Sequence, residues 1–353
     1  MTPVVHLHIG EPKTGTTFIQ ALLFHNQAAL RANGVLVAGN KLDQIRGGHD
    51  VLGRAKTAGT HDTSGAWQRL AAEIQAFDGP HAVISMEMLT RARPPQVRRA
   101  VEAFGPDADV RVVITARDVG SVAPARWQES VQFRRSWTFQ DYLDGVFSES
   151  PKQSPSGRHF WDLHNTPLTV EKWGAVVGLD HVTVVTVPPP SAPRDLLWQR
   201  FGEAVGIAVD AYEPAAAVNA SLGAASAELM RRVNQSLAEQ DLRDADYAKI
   251  CRSFLAKSVL PPLKGSEDRI GLPAEYVDAA TKASDHLVAA LRESGVRVVG
   301  DLDELASSAA ADPSGPRTVD ETSVNTAALA AIVALVEQNA KLARQVGRLR
   351  PAE

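Results

Sequence analysis

The sequence predicts an α/β protein, a doubly wound parallel sheet flanked by helices with a further helix at the C-terminus. Three observations predict it. Apolar runs at residues 4–9, 81–86, 110–116 and 181–187 are nearly continuous, as strands covered by helices on both faces must be. Between them, apolar residues recur at three- and four-residue steps over 66–77 and 95–104, the period of helices that cross back between parallel strands. A Gly/Pro/Thr turn then joins the first strand to the periodic stretch 18–30, giving a strand–loop–helix unit at the start of the chain.

The remaining elements follow in order. Residues 133–170 are rich in aromatics, Ser, Pro and His with weak periodicity, and read as an insertion or lid of the kind that carries substrate contacts. Helical pattern returns at 224–252 and 273–293, and a last strand is expected at 296–299. Residues 307–323 turn small and polar around Pro313, Gly315 and Pro316, a flexible linker. The predicted organisation is thus an α/β domain over 1–306, the linker, and a helix over 324–353. In that tail Ile332, Asn339 and Val346 fall seven apart, as do Leu335, Leu342 and Leu349 on the adjoining position. This is an a/d seam with Asn at one a site. It reads either as a coiled coil joining two copies in a homodimer or as an amphipathic helix packed on its own domain.

Composition narrows the function classes. A chain of 353 residues, 44% hydrophobic and 22% charged, holds one large water-soluble domain plus an appendage. The net charge of −4 gives no overall pull toward nucleic acid or anionic lipid, so neither partner is expected and any anion site must be local. Cys251 stands alone, which excludes an intramolecular disulfide and a cysteine-only zinc cage. With no basic n-region or long apolar h-region over 1–10, and no apolar run near the roughly 20 residues of a membrane span, a cytoplasmic protein is expected. No His/Cys/Asp set has metal-ligand spacing.

The chemistry concentrates in the first turn. Gly10-Glu11-Pro12-Lys13-Thr14-Gly15-Thr16-Thr17 lies where a strand hands over to a helix, so backbone N–H groups and the helix dipole converge on an anion. The spacing Gly10 to Gly15 copies a nucleotide-triphosphate P-loop, but the lysine that should follow the second glycine is Thr16. A lysine stands instead two positions before it, at Lys13, with Thr14, Thr16 and Thr17 as hydroxyl donors. At Pro12-Lys13-Thr14-Gly15-Thr16-Thr17 the chain resembles the PAPS-dependent sulfotransferases of the bacterial branch, whose 5′-phosphosulfate loop reads Pro-Lys-Ser/Thr-Gly-Thr-Thr. The resemblance implies their P-loop-like fold, a loop that holds the donor's 5′-phosphate, Lys13 on the bridging oxygen between phosphate and sulfur, and no metal. Charge builds on that oxygen as the S–O bond breaks, so a preplaced ammonium favours the transition state over the ground state.

Arg117 follows the strand 110–116 at its C-terminal end, the edge at which open α/β sheets bind ligands. The resemblance makes it the arginine that binds the donor's 3′-phosphate. The serine that should follow eight residues later is Ala125, and Ser121 or Arg126 could take its place. Trp127-Gln128-Glu129 is similar to a stretch of the same branch in which Trp and Gln sit close to the cleft, and residues 219–222 resemble another stretch with no derivable role. Trp173 is expected in the core.

Transfer to an alcohol or amine also needs a base. Glu87, directly after the strand 81–86, projects at the top of the sheet and matches the position where carbohydrate-modifying members of the family carry a glutamate. His49, in a Gly-flanked loop formed by Gly47 and Gly48, is the second candidate, while His8 on the first strand packs or orients the loop. The predicted reaction moves the sulfuryl group of PAPS to a hydroxyl or amine of a small-molecule or carbohydrate acceptor, leaving PAP, by in-line displacement between Lys13 and Glu87. A P-loop nucleotide kinase and a non-catalytic nucleotide-binding scaffold are the alternatives.

Overall fold

The computed structural model describes residues 3–54, 62–209, 213, 221–306 and 319–349. Its first half runs β1 (Val4–His8), α1 (Thr16–His25), α2 (Gln27–Ala32), β2 (Val35–Val37), α3 (Lys41–Val51), α4 (Ala66–Gln75), β3 (His81–Ser85), a 3₁₀ helix (Glu87–Arg91), α5 (Pro94–Glu102) and β4 (Val110–Ala116). Four helices follow before the sheet resumes: α6 (Val119–Gln132), α7 (Phe139–Val146), α8 (Pro155–Trp161) and α9 (Thr166–Val177). Then come β5 (Val182–Thr186), α10 (Leu196–Val205), α11 (Ala224–Ser236), α12 (Asp244–Tyr247), a π-helix (Ala248–Val259), α13 (Val277–Ser294), β6 (Arg297–Val299), α14 (Asp303–Ala306) and α15 (Glu321–Leu349).

The six strands form one parallel sheet in the order β2-β3-β1-β4-β5-β6. From β1 the chain crosses to the edge strand β2, returns to β3 between them, and then passes to β4 on the other side of β1 and winds outward there, so the direction of winding changes between β1 and β4. The loops leaving these two neighbours splay apart there, and a crevice opens at the carboxyl ends of the strands. One face of the sheet packs Leu7, Ile84 and Val112 against Trp67 and Trp173, the other packs Val83 and Val113 against Ile19, Leu22, Trp198 and Phe201. Trp173 is fully buried, in the core as expected.

A second core departs from the sequence reading. Residues 133–170 are mostly helical rather than a loop, and α7 and α8 bury Tyr142, Val146 and Phe160 against α6, α11 and the π-helix. Their helices are short and begin at Ser154-Pro155 and Asn165-Thr166-Pro167, so no stretch is long enough to show a period. The helix expected over 224–252 stops at Ser236 and resumes as α12 and the π-helix. Strand β2, only three residues long, was not anticipated. The predicted linker lies mainly outside the described residues, and α15 begins at Glu321, inside its expected end. By length and composition alone, Glu321–Val346 is apolar enough to cross a membrane, although no apolar run of that length was expected from the sequence. The alanine-rich run before Glu337 supplies that apolarity without bulky residues at every step.

Candidate functional site

The loop between β1 and α1 is fixed by hydrogen bonds from beneath. Gly10, Lys13 and Gly15 take positive φ values of 114°, 65° and 82°, which for Lys13 is a conformation a side chain rarely adopts. A Cβ on Gly10 would come within 2.8 Å of the Thr90 hydroxyl and 3.2 Å of Glu87 Cβ, and one on Gly15 would collide with Leu197. Both positions therefore need glycine for close approach as well as for backbone angle. Thr14 is buried; its hydroxyl donates to the Glu11 carbonyl (2.5 Å) and lies 2.6 Å from Thr115 Oγ1. Thr115 in turn donates to the Gly10 carbonyl (3.0 Å), and Thr90 to that of Ile9 (2.5 Å). So the Thr14 hydroxyl, expected to face the anion, braces the loop instead.

The upper side of the loop is left for a ligand. Among the described residues the amides of 13–17 find no protein acceptor, as the first N–H groups of a helix do not. They gather at the positive end of α1's dipole, where Thr16 and Thr17 open the helix. His8 lies below, buried, 2.7 Å from Ser85 Oγ and 3.3 Å from Thr115 Oγ1, and burial lowers its pKa to about 3. It orients the loop as a neutral ring.

Sequence reasoning missed Glu11. Its carboxyl is buried, accepts from Thr166 Oγ1 (2.8 Å) and stands 3.5 Å from His164 Nδ1. Burial pushes its pKa up to about 8, against the opposing pull of the Thr166 hydrogen bond and the Lys172 charge. Lys172 donates to the Thr90 carbonyl (2.6 Å), so α9 holds the loop directly through Thr166 and the neighbouring 3₁₀ helix through Lys172.

Lys13 reaches across the crevice toward α6, where its ammonium lies 4.0 Å from Glu129. Arg126 grips the same carboxylate at 2.5 Å and sits 2.9 Å from His159 Nε2. Burial alone would raise the Glu129 carboxyl, but Lys13 and Arg126 hold it below its ordinary value. Arg126 is therefore directed away from the position expected of a substitute phosphate ligand. Glu87 opens the 3₁₀ helix after β3, packs against Gly10, and accepts one hydrogen bond, from Gln20 Nε2 at 2.6 Å. His49 is not in a loop: it lies on α3, where Gly47 lets Trp67 and Leu70 approach and Gly48 lets Met86 and Met88 approach. Burial and Arg54 lower its pKa, and no hydrogen bond joins it to the anion loop.

Past the end of β4, the neighbour of β1, α6 lines a cavity of about 330 Å³, within the roughly 300–1,000 Å³ of small-ligand sites. Arg117, Ser121, Ala125 and Gln128 face it from one side, Lys264 and Arg269 from the other, with Asp268. Arg117 is only loosely paired, 3.9 Å from Asp118, so its guanidinium retains capacity for an anion. Ser121 and Ala125 lie one turn apart on that face, which makes Ser121 a hydroxyl within the same cavity. The cations Lys264 and Arg269 were not legible beforehand. A second cavity, about 620 Å³ and walled by Trp161, Pro167 and Leu287, includes none of these residues. Among the described residues no three or more His, Cys, Asp or Glu gather as a metal cage.

No family model and no curated protein matches the chain. Among solved structures, the crystal structure of a sulfotransferase from Alicyclobacillus acidocaldarius is similar at 13% identity and a TM-score of 0.43. The likeness covers 69% of this chain and 99% of that one, and at this level it is one of general layout.

Proposed function

We propose that the chain is a PAPS-dependent sulfotransferase, acting on a hydroxyl or amine of a small-molecule or carbohydrate acceptor. One observation carries the reading: two anion-binding features follow the neighbouring strands β1 and β4, the free amides and Lys13 after the first, and Arg117 after the second in a cavity that Lys264 and Arg269 also line. A donor with an anionic group at each end of a nucleoside, a 5′-phosphosulfate and a 3′-phosphate, needs such a pair. A nucleoside triphosphate needs only the first, together with the lysine that is Thr16 here.

In this reading the loop amides and the hydroxyls of Thr16 and Thr17 hold the 5′-phosphate. The acceptor oxygen or nitrogen attacks sulfur, the bond from sulfur to the bridging oxygen breaks, and its electron pair stays on PAP, where Lys13 neutralises it. Glu87 takes the acceptor proton. Its single neutral hydrogen bond leaves lone pairs free, whereas Glu129 is held ionised between two cations and is the poorer base. Glu129 instead keeps Lys13 extended across the crevice until the donor draws it away.

The test is thermal unfolding with PAP, set against ADP plus magnesium. A ligand at about a hundred times its Kd adds roughly 2.7 kcal/mol to the folded state. Stabilisation by PAP, followed by mass spectrometry of acceptors incubated with PAPS, is the expected result. Stabilisation by ADP plus magnesium and not by PAP would favour the kinase reading and end this one. PAP binding with no transfer to any acceptor class would leave a nucleotide-binding scaffold.

A further inference from the structure

We propose that α15 joins two copies of this chain in a parallel two-stranded coiled coil along Ile332, Leu335, Asn339, Leu342 and Val346. The helix has two parts. Its first turns are docked: Glu321 pairs with Arg232 through two hydrogen bonds (2.8 and 2.5 Å), and Val324, Ala327 and Ala331 are buried against α11 and the π-helix. From Ile332 onward the apolar side chains face solvent, Ile332 at 55%, Leu342 at 46% and Val346 at 56% exposure. Of the twelve exposed large apolar residues among those described, seven stand on this one helix.

A stripe of this kind on a folded domain marks an interaction surface, and its spacing selects the occupant. Positions 332, 335, 339, 342 and 346 repeat by three and four, the period that keeps one seam facing an identical helix. At about 100° per residue this seam lies roughly a fifth of a turn from the docked face and runs on beyond Ala331, its last buried residue, so both can be covered at once. Asn339 sits in the middle of it. In a parallel, in-register pair the two Asn339 amides meet and hydrogen-bond, whereas in lipid or an apolar groove the amide would be stranded. A bilayer fits poorly for a second reason: Glu337, Lys341 and Arg344 interrupt the exposed half, and the more apolar half is already partly docked. The seam is short, but docking has already formed the helix, so association does not have to nucleate it.

Sedimentation of the full chain tests this. A dimer is expected, and Leu335→Lys with Leu342→Lys should give a monomer whose stabilisation by PAP, or its lack of it, matches the parent, which separates assembly from the reading of the active site. An Asn339→Cys chain treated with diamide should form a disulfide-linked dimer, since paired a positions face each other and the native Cys251 is buried. A parent chain that is monomeric at micromolar concentration overturns the proposal. So does a monomer that floats with phosphatidylcholine/phosphatidylglycerol vesicles, or a dimer that survives the double lysine change.

Discussion

At residues 10–17 the candidate site is one contiguous turn whose shape is set by its own backbone, with Thr14, Thr90 and Thr115 bracing it from below. Around Arg117 it is a meeting of distant segments: the first turns of α6, residues 221–223, and residues 264–272, with long flexible side chains as its cations. The first kind of site points fixed N–H dipoles at one place and can stabilise charge as it develops, without reorganising. The second kind recognises a charged group by closing flexible arms on it. If the division holds, damage to the loop end should cost turnover, and damage to the cleft end should cost discrimination between donors.

The largest effects are expected at the loop. Replacing Lys13 with Ala should lower kcat by about 10²–10³, the loss typical of one preplaced transition-state donor, and weaken PAP together with it, since PAP carries the charge that Lys13 neutralises. Glu87→Gln should lower kcat by about 10²–10⁴ with the PAP-induced rise in Tm intact, and Glu129→Gln should lower it less. Full turnover in Glu87→Gln together with loss in Glu129→Gln would transfer the base to α6. A comparison of steady-state kinetics with thermal shifts on the same variants reads both quantities.

Smaller effects are expected at the cleft. Arg117→Ala or Arg269→Ala should weaken PAP by about 10–100-fold, the worth of a charge-assisted hydrogen bond left unmade, while binding of AMP, which lacks the 3′-phosphate, changes little. Calorimetry with the two nucleotides measures the split. Equal losses for both would mean the cleft binds base or ribose and not a second phosphate.

The same contrast governs what could be read from the chain. Strands β1, β3, β4 and β5 were legible because strands covered on both faces are apolar at nearly every position, and the loop was legible because a single segment makes it. Lys264 and Arg269 were not, since nothing local distinguishes them from other cations near a glycine; only the fold carries them to Arg117. His49 was misplaced for a physical reason. Gly47 and Gly48 usually signal a loop, but here they are small because Trp67 and Met86 pack against α3 at those points. The Thr14 hydroxyl turns to Glu11 and Thr115 rather than outward, because a hydroxyl in an anion loop can serve either the ligand or the loop, and sequence does not say which way it turns.

Glu11 offers the subtlest test, because it probes the bracing rather than the chemistry. Its pKa is about 8 in the fold against 4.5 when unconstrained, so the folded state favours the protonated carboxyl. The stabilisation is therefore complete below about pH 4.5 and is lost as pH rises toward 8, with a slope of at most about 1.4 kcal/mol per pH unit. The histidines His6, His8 and His159, lowered to about 3, act in the opposite sense but only as pH falls below their ordinary 6.5. Between about pH 6.5 and 8 the Glu11 contribution is thus free of theirs. Urea unfolding of Glu11→Gln across that window should show a flatter dependence than the parent and a higher midpoint at its upper end. Parallel curves for the two proteins would mean that the Glu11 carboxyl is already ionised beneath the loop, and that α9 holds the loop by charge, through His164 or Lys172, rather than by a neutral hydrogen bond.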